Sequence, residues 1–446
     1  MTTVQSPPAP ATAIRPRVVA RTGLYAVLAA NAAVVTWFFV DAGVGASNAL
    51  LVLGRLAGLY GALFMAFQLL LVARLPWLDR RIGMDRLTSW HRWTGFGILW
   101  TLLAHAVFIT FGYADSSGLD PVGRLVDLAE TVEGVLRAVA ALVIVLVVGA
   151  VSARFARRRL AYETWHFIHL YTYLAVVLAF THQVAVGPTF TASPAATAYW
   201  YALWGVAIGS VFTGRVVLPL WRNARHRLRV SAVVPESDTV VSVHITGRDL
   251  DRLPARAGQF FLWRFLTKDR WWQANPFSLS AAPDGRGLRL TVKAAGAGSA
   301  GLRHLRPGTR VFAEGPYGAF TALHRTRPEA VLIAGGVGVT PIRALLEEIQ
   351  GHAVVVYRVA TDRDAVLYDE LRELALAKGA DLHLVTGPAS PDRLAPAELT
   401  RMVPDIADRD VFLCGPPPMM NAVLGSLREL GVPKPQIHFE RFSLAG

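Results

Sequence analysis

Cysteine is nearly missing from this chain: Cys414 is the single one in 446 residues. That excludes a disulfide within the chain and an iron–sulfur cluster held by its own cysteines. Charge is scarce too, at 17% of residues against 53% hydrophobic, which is too apolar for a wholly soluble chain of this length. Acid is scarcer than base, with 32 Asp and Glu facing 45 Lys and Arg, a formal net charge of +13. Long apolar runs are absent after Trp221, so a membrane part is confined to the first half. The apolar half also lacks the pair of Gly/Pro-broken helices that marks many transporters.

What remains is six apolar stretches near 23–40, 49–73, 90–112, 132–153, 162–186 and 197–218, each close to the ~20 residues a bilayer span needs. Basic residues precede the first (Arg15, Arg17, Arg21) and lie between the second and third (Arg74, Arg80, Arg81, Arg86). They recur between the fourth and fifth (Arg154, Arg157, Arg158, Arg159) and after the sixth (Arg222, Arg225, Arg227, Arg229). The alternate loops carry Asp41, Asp115, Asp120, Asp127 and Glu130. This positive-inside alternation predicts a multi-pass protein of the cell membrane with both termini cytoplasmic. The basic excess is spent on orientation in a lipid bilayer, and no nucleic-acid partner is implied. Residues 1–22, rich in Pro, Ala and Thr, read as a disordered tail ahead of an uncleaved first helix.

Two spans each carry two histidines. His91 and His105 lie in the third, His169 and His182 in the fifth. Imidazole is costly inside a bilayer unless it binds something or relays protons. Fourteen helical residues rise about 21 Å and bring the side chain back within about 40° of its starting face. One helix therefore offers an axial ligand to each of two stacked haems. Depth pairs His91 with His169 on the inner side and His105 with His182 on the outer side. The 13-residue step from His169 to His182 turns the side chain by about 220°, and His166 does no better at about 160°, so His166 stays a reserve inner ligand. The plainer alternative is four polar residues bonded between helices.

After the sixth span the pattern changes. Short β-rich runs between 225 and 325, broken by Gly, Pro and Asp, predict a small antiparallel β-barrel. From 326 to 446 strands alternate with glycine turns and helices, which predicts a doubly wound α/β domain. NPFSLS follows a barrel strand and is suited to lie along a flavin: Asn275, Pro276, Phe277 and Ser278 are its candidate residues, with Ser278 at the N5 edge. Lys293 precedes a small-residue turn in which Gly298 and Ser299 open a helix, a place for a pyrophosphate. AGGVGVTP, with Gly335, Gly336, Gly338, Thr340 and Pro341, has the strand–turn–helix setting of a dinucleotide site although it is not GxGxxG. In LCGPPPMM, Cys414, Gly415 and Pro416 stand at another strand end, where a nicotinamide would sit.

Taken in order, these residues resemble the NADPH oxidase and ferric reductase superfamily, over nearly all of 23–446. The resemblance implies a six-helix, two-haem transmembrane domain (23–220), an FAD-binding barrel (225–325) and an NAD(P)-binding domain (326–446). His91, His105, His169 and His182 match the family's haem ligands, including the uneven spacing. NPFSLS stands where the family has HPFTIS-like motifs, with Asn275 in place of the usual His. EGPYGAF (314–320), GGVGVTP and CGPPPM match successive flavin and nucleotide segments. Glu440 and Phe442 in FERF match the terminal segment whose aromatic covers the flavin. Arg358 and Arg363, just past the second strand of the last domain, favour NADPH over NADH through a 2′-phosphate.

The implied activity moves electrons from NAD(P)H through FAD and two b-type haems to a small-molecule acceptor at the outer face. Dioxygen, giving superoxide or hydrogen peroxide, and ferric iron are the two acceptors favoured, and a redox protein partner stays open. Cys414, Ser278, Glu440 and Phe442 are the residues placed at the reacting ring system. The rival reading is a membrane-anchored flavin reductase serving a separate redox partner. Arg55 and the Glu133/Arg137 pair lie toward the outer side, as haem-propionate partners or as structural charges.

Overall fold

Uninterrupted Leu, Val and Ala satisfy their backbone internally only as helix where water is absent, and six helices of the computed structural model are long and apolar enough to cross a membrane. The structure describes residues 16–43, 48–157, 159–160, 162–294, 296–388 and 391–440. They divide into two units, one ending at Arg215 and one beginning at Val216. The spanning helices are α1 (Pro16–Asp41), α2 (Ala49–Val72), α3 (Met84–Ser117), α4 (Val135–Ser152), α5 (Tyr162–Val186) and α6 (Pro194–Phe212).

Helix α3 outruns the predicted 90–112 because nothing stops it until Gly118, whose left-handed φ of 70° closes its end. A short helix follows at Pro121–Thr131, started by the Asp120 carboxylate, which accepts from the Val122 and Gly123 amides. Half of the α2 window is buried, against 11–22% for the other five, so α2 is the central helix of this unit. It packs on α3 through small residues: a Cβ on Gly54 would lie 2.9 Å from Ile109 Cγ1. Close helix approach of this kind is how apolar helices gain contact without a hydrophobic driving force.

In the second unit the strands are β1 (Arg229–Pro235), β2 (Val240–Thr246), β3 (Phe260–Phe265), β4 (Asn275–Ser278), β5 (Gly287–Lys293) and β6 (Val311–Tyr317). They form two three-stranded antiparallel sheets, β1-β2-β5 and β4-β3-β6, and not the closed barrel that the spacing predicts. Single bridges, Leu279 to Leu290 and Arg229 to Arg310, with neighbouring backbone hydrogen bonds such as Val311 to Leu228 at 3.0 Å, link them in place of ladders. Strand β4, four residues long with Pro276 inside it, pairs along its length with β3 and, among the described residues, meets β5 only at the Leu279 bridge just past its end. Phe261, Trp263 and Phe265 from one sheet and Val243, Ile245 and Leu290 from the other fill the core between them.

The remaining strands, β7 (Ala330–Gly335), β8 (Ala353–Arg358), β9 (Asp381–Val385), β10 (Asp410–Cys414) and β11 (Ile437–Glu440), form a parallel sheet in the order β11-β10-β7-β8-β9. Strands β7 and β10 are buried along their whole length, as a sheet covered on both faces requires. The covering helices include α7 (Val339–Glu348), α8 (Tyr368–Lys378), α9 (Pro396–Met402) and α10 (Pro417–Glu429). Strand order reverses at β7, so the turns after β7 and β10 flank the crevice where such sheets bind ligands.

Candidate electron-transfer sites

His91 and His105 both ride α3, and His169 and His182 both ride α5. The rings of His91 and His169 have centroids 5.9 Å apart with planes at 65°, and those of His105 and His182 are 6.4 Å apart at 62°. Two imidazoles ligating one metal from opposite sides, with each nitrogen about 2.0 Å away, have ring centres about 6.3 Å apart. Both pairs fall at that spacing despite the uneven 13-residue step. His91 faces His169, while His166 lies against Trp165 at 6.4 Å.

The other ring nitrogens add a second observation. His105 Nδ1 is 2.8 Å from the Gly54 carbonyl, the type of contact that fixes a ligand imidazole's tautomer and leaves Nε2 free. The Nδ1 atoms of His91 and His169 are buried with no hydrogen-bond partner among the described residues. Gly58 makes the His105 position possible, since a Cβ there would sit 2.6 Å from His105 Nδ1. The sequence reading missed Gly54 and Gly58; small residues four apart on the helix facing a histidine were the available signal. Of the flanking charges, Arg55 Nη2 donates to Tyr113 Oη at 3.4 Å, and Arg137 pairs with Glu133 at 3.3 Å.

In the soluble unit the two glycine turns come together backbone to backbone. A Cβ on Gly335 would lie 2.4 Å from Met419 Sδ and 2.9 Å from Pro416 Cδ. A Cβ on Gly338 would lie 2.3 Å from the Cys414 carbonyl oxygen, and one on Gly415 3.1 Å from Gly335 Cα. Gly336 holds a φ of 51°. Thr340 Oγ1 donates to the Val337 carbonyl at 3.0 Å, which closes the turn, and Pro341 is buried behind it. Cys414 is fully buried and pairs in register with Glu440 on β11. Burial, and then the Glu440 carboxylate, push its thiol well above the usual range, so it stays neutral and is no nucleophile. Phe442 lies outside the described residues.

Arg358 is already engaged. Its guanidinium donates to the Val359 carbonyl, to Gly387 at 2.7 Å and to Pro388 at 2.5 Å, tying β8 to the chain after β9. Arg363 is exposed in the turn Asp362–Asp364. On the flavin side Asn275, Pro276, Phe277 and Ser278 make up β4, with Ser278 buried opposite Phe260. Trp263 Nε1 donates to the Phe277 carbonyl at 3.0 Å, and Asn275 Nδ2 to the Gln273 carbonyl at 3.3 Å. Lys293 is exposed at the end of β5, Gly298 and Ser299 lie in the short helix Ala297–Ala300, and Ser299 Oγ accepts from the Gly296 amide at 3.1 Å.

A charge network that the sequence reading did not find joins β5 to α7 and α8. Arg289 Nη1 contacts both Glu370 oxygens at 2.9 and 3.0 Å, and Arg343 contacts Glu370 at 2.5 Å and Glu347 at 2.8 Å. Both arginines also donate to the Ser280 carbonyl, two residues past β4. A lone arginine in an otherwise apolar strand, LRLTVK, was the one hint.

Residues 57–180 match the family model described as ferric reductase like transmembrane component, and residues 332–424 the one described as oxidoreductase NAD-binding domain. Ferredoxin–NADP reductase B of Sorangium cellulosum is 32% identical over 189 residues, 37% of this chain and 77% of that protein. The chain belongs to the ferredoxin–NADP reductase family through its second unit, and carries a ferric reductase like transmembrane region ahead of it. It is a transmembrane oxidoreductase whose soluble part is of the FAD- and NAD-binding ferredoxin reductase type. The ferredoxin reductase component of the Mycobacterium tuberculosis 3-ketosteroid-9-alpha-monooxygenase is 32% identical over 232 residues, 48% of this chain. The chain spans 64% of that relative's length. The FAD/NAD-binding domain of the Vibrio cholerae nitric oxide dioxygenase aligns at 26% identity and a TM-score of 0.40, over 49% of this chain and 98% of that one.

Proposed function

We propose that this protein takes electrons from NAD(P)H on the cytoplasmic side and delivers them, through FAD and two b-type haems, to an acceptor on the outer face of the cell membrane. The observation that carries the reading is the meeting of two histidine pairs, each with ring centroids at the separation one axially ligated iron requires. His91 and His169 hold the inner haem and His105 and His182 the outer one. When bound, the flavin converts a two-electron donor into single electrons and the haems pass these on. The chain's own share is placement: the touching turns at Gly335–Gly338 and Cys414–Pro416 admit a dinucleotide close to backbone, and β4 lays Asn275–Ser278 along the flavin. Residues 225–325 serve as the flavin domain and 326–446 as the nucleotide domain.

His91, His169, His105 and His182 would hold the haems, which would supply single-electron transfer to an acceptor that need not bind iron. Dioxygen and chelated ferric iron are both such acceptors. For the nucleotide, Arg363 is the exposed cation past β8, so it carries any preference for a 2′-phosphate, while Arg358 shapes the loop. A second reading, a reductase feeding a separate redox protein, draws on the reductase components among the relatives. A dithionite-reduced-minus-oxidised spectrum with haem quantified per chain separates them. Two low-spin b-type haems are expected; none, after expression with ample haem, would leave the reductase reading.

A further inference from the structure

Beyond Trp221 the chain has three tryptophans, Trp263, Trp271 and Trp272. Trp263 is fully buried in the core, whereas Trp271 and Trp272 are 58% and 55% exposed. They stand at the tip of the connection 266–274 between the paired strands β3 and β4, next to Leu266, which is also exposed. The tip is held in one shape. Thr267 Oγ1 donates to Asp269 at 2.8 Å, the Gln273 amide to the Arg270 carbonyl at 3.0 Å, and the two indoles meet edge to face at 5.8 Å. Asp269 is matched by Arg270 at 3.3 Å, which leaves the exposed Lys268 as the tip's net charge.

Two rigid indoles left in water lose the burial that an aromatic side chain normally gains. Tryptophan is the residue whose apolar body and N–H suit the headgroup layer of a bilayer, and an adjacent lysine matches anionic headgroups. A bilayer is always at hand, because the same chain spans it. We propose that the 266–274 tip is a membrane-surface anchor: Trp271, Trp272 and Leu266 enter the headgroup layer and Lys268 meets lipid phosphate or carboxylate. The anchor would restrain the flavin-side sheet at the membrane independently of haem content.

The test uses the chain's cysteine usage. Cys414 is fully buried, so a thiol introduced by Lys268→Cys, which keeps both indoles, is the one an exposed-thiol label reaches; Trp272→Cys gives a second site. The full-length protein carries an environment-sensitive label in vesicles of phosphatidylcholine and phosphatidylserine, with and without brominated acyl chains. Leu376→Cys, at an exposed apolar site on α8, is the reference. Blue-shifted emission and severalfold stronger quenching by brominated lipid at 268 or 272 than at 376 are expected. Equal quenching at all three positions would overturn the proposal. So would a label shielded from quencher in detergent on adding FAD alone, since the indoles would then serve the flavin. Neither readout depends on electron transfer.

Discussion

Both halves of the molecule bury polar groups, but they provide for them differently. In the soluble half the buried charges come with partners. Arg343 lies against Glu370 and Glu347, and the fully buried Asp410 accepts from His438 at 2.8 Å and from the Thr326 and Arg327 amides. In the membrane half the buried Nδ1 atoms of His91 and His169 have no partner among the described residues. A low-dielectric interior penalises an unpaired polar atom in either place. Asp410 is thus satisfied by its own chain, whereas the His91 and His169 Nδ1 atoms are not.

Removing a histidine breaks that contrast most sharply. His105→Ala or His182→Ala should lower haem from two per chain to one, measured as pyridine haemochrome, and abolish transmembrane reduction. NAD(P)H-dependent reduction of FAD should persist in both. Two haems retained in both variants would sink the pairing. Gly58→Ala probes the same site from the opposite helix: its Cβ would lie 2.6 Å from His105 Nδ1, so the ring must shift. A perturbed outer-haem spectrum with normal inner haem is expected, a weaker effect than losing the ligand.

The halves also differ in how much the sequence discloses. The histidines are legible because polar residues stand out against an apolar helix and helical geometry converts spacing into depth. Their pairing needed only depth, so the awkward phase of His182 did no harm. The touching turns are less legible: Gly335, Gly338 and Gly415 could be assigned to separate ligand-binding turns, but their contact with one another depends on strands β7 and β10 lying side by side, though far apart in sequence. Arg358 shows the limit. Its position at the end of β8 suits a 2′-phosphate, yet the carbonyls of Gly387 and Pro388, contributed by a later loop, occupy its guanidinium. The closed barrel failed for a local reason: the short β4 stops before the Leu279 bridge to β5.

In the second unit the largest loss should come from taking away a shared partner. Glu370→Gln removes the charge shared by Arg289 and Arg343. Removing one partner of a buried pair costs about 3–5 kcal/mol; because Glu370 is partly exposed, about 1–3 kcal/mol is expected here, read from denaturant unfolding of the flavin-loaded protein. Gly338→Ala tests the backbone contact instead. Overpacking a Cβ 2.3 Å from the Cys414 carbonyl should cost about 1–3 kcal/mol and raise the KM for NAD(P)H more than it lowers kcat. An unchanged KM would separate the two turns from nucleotide binding.

The smallest expected effect concerns Cys414, which is buried beside the Glu440 carboxylate. Burial and Glu440 hold its folded pKa well above the unfolded value of about 8.5. Below that value both states keep the proton and the thiol contributes its full share of stability. As pH rises through it, the unfolded chain loses the proton first, so that share falls and is gone once the folded pKa is passed. The natural protein should therefore lose stability between pH 8 and 10 more steeply than Cys414→Ala, compared by thermal unfolding at matched pH. Native Cys414 should also resist iodoacetamide through that range while unfolded chain reacts. Fast alkylation of the folded protein would show that the thiol is open to solvent and lowered, and would move Cys414 from a packed neighbour of the nicotinamide site to a reactive group.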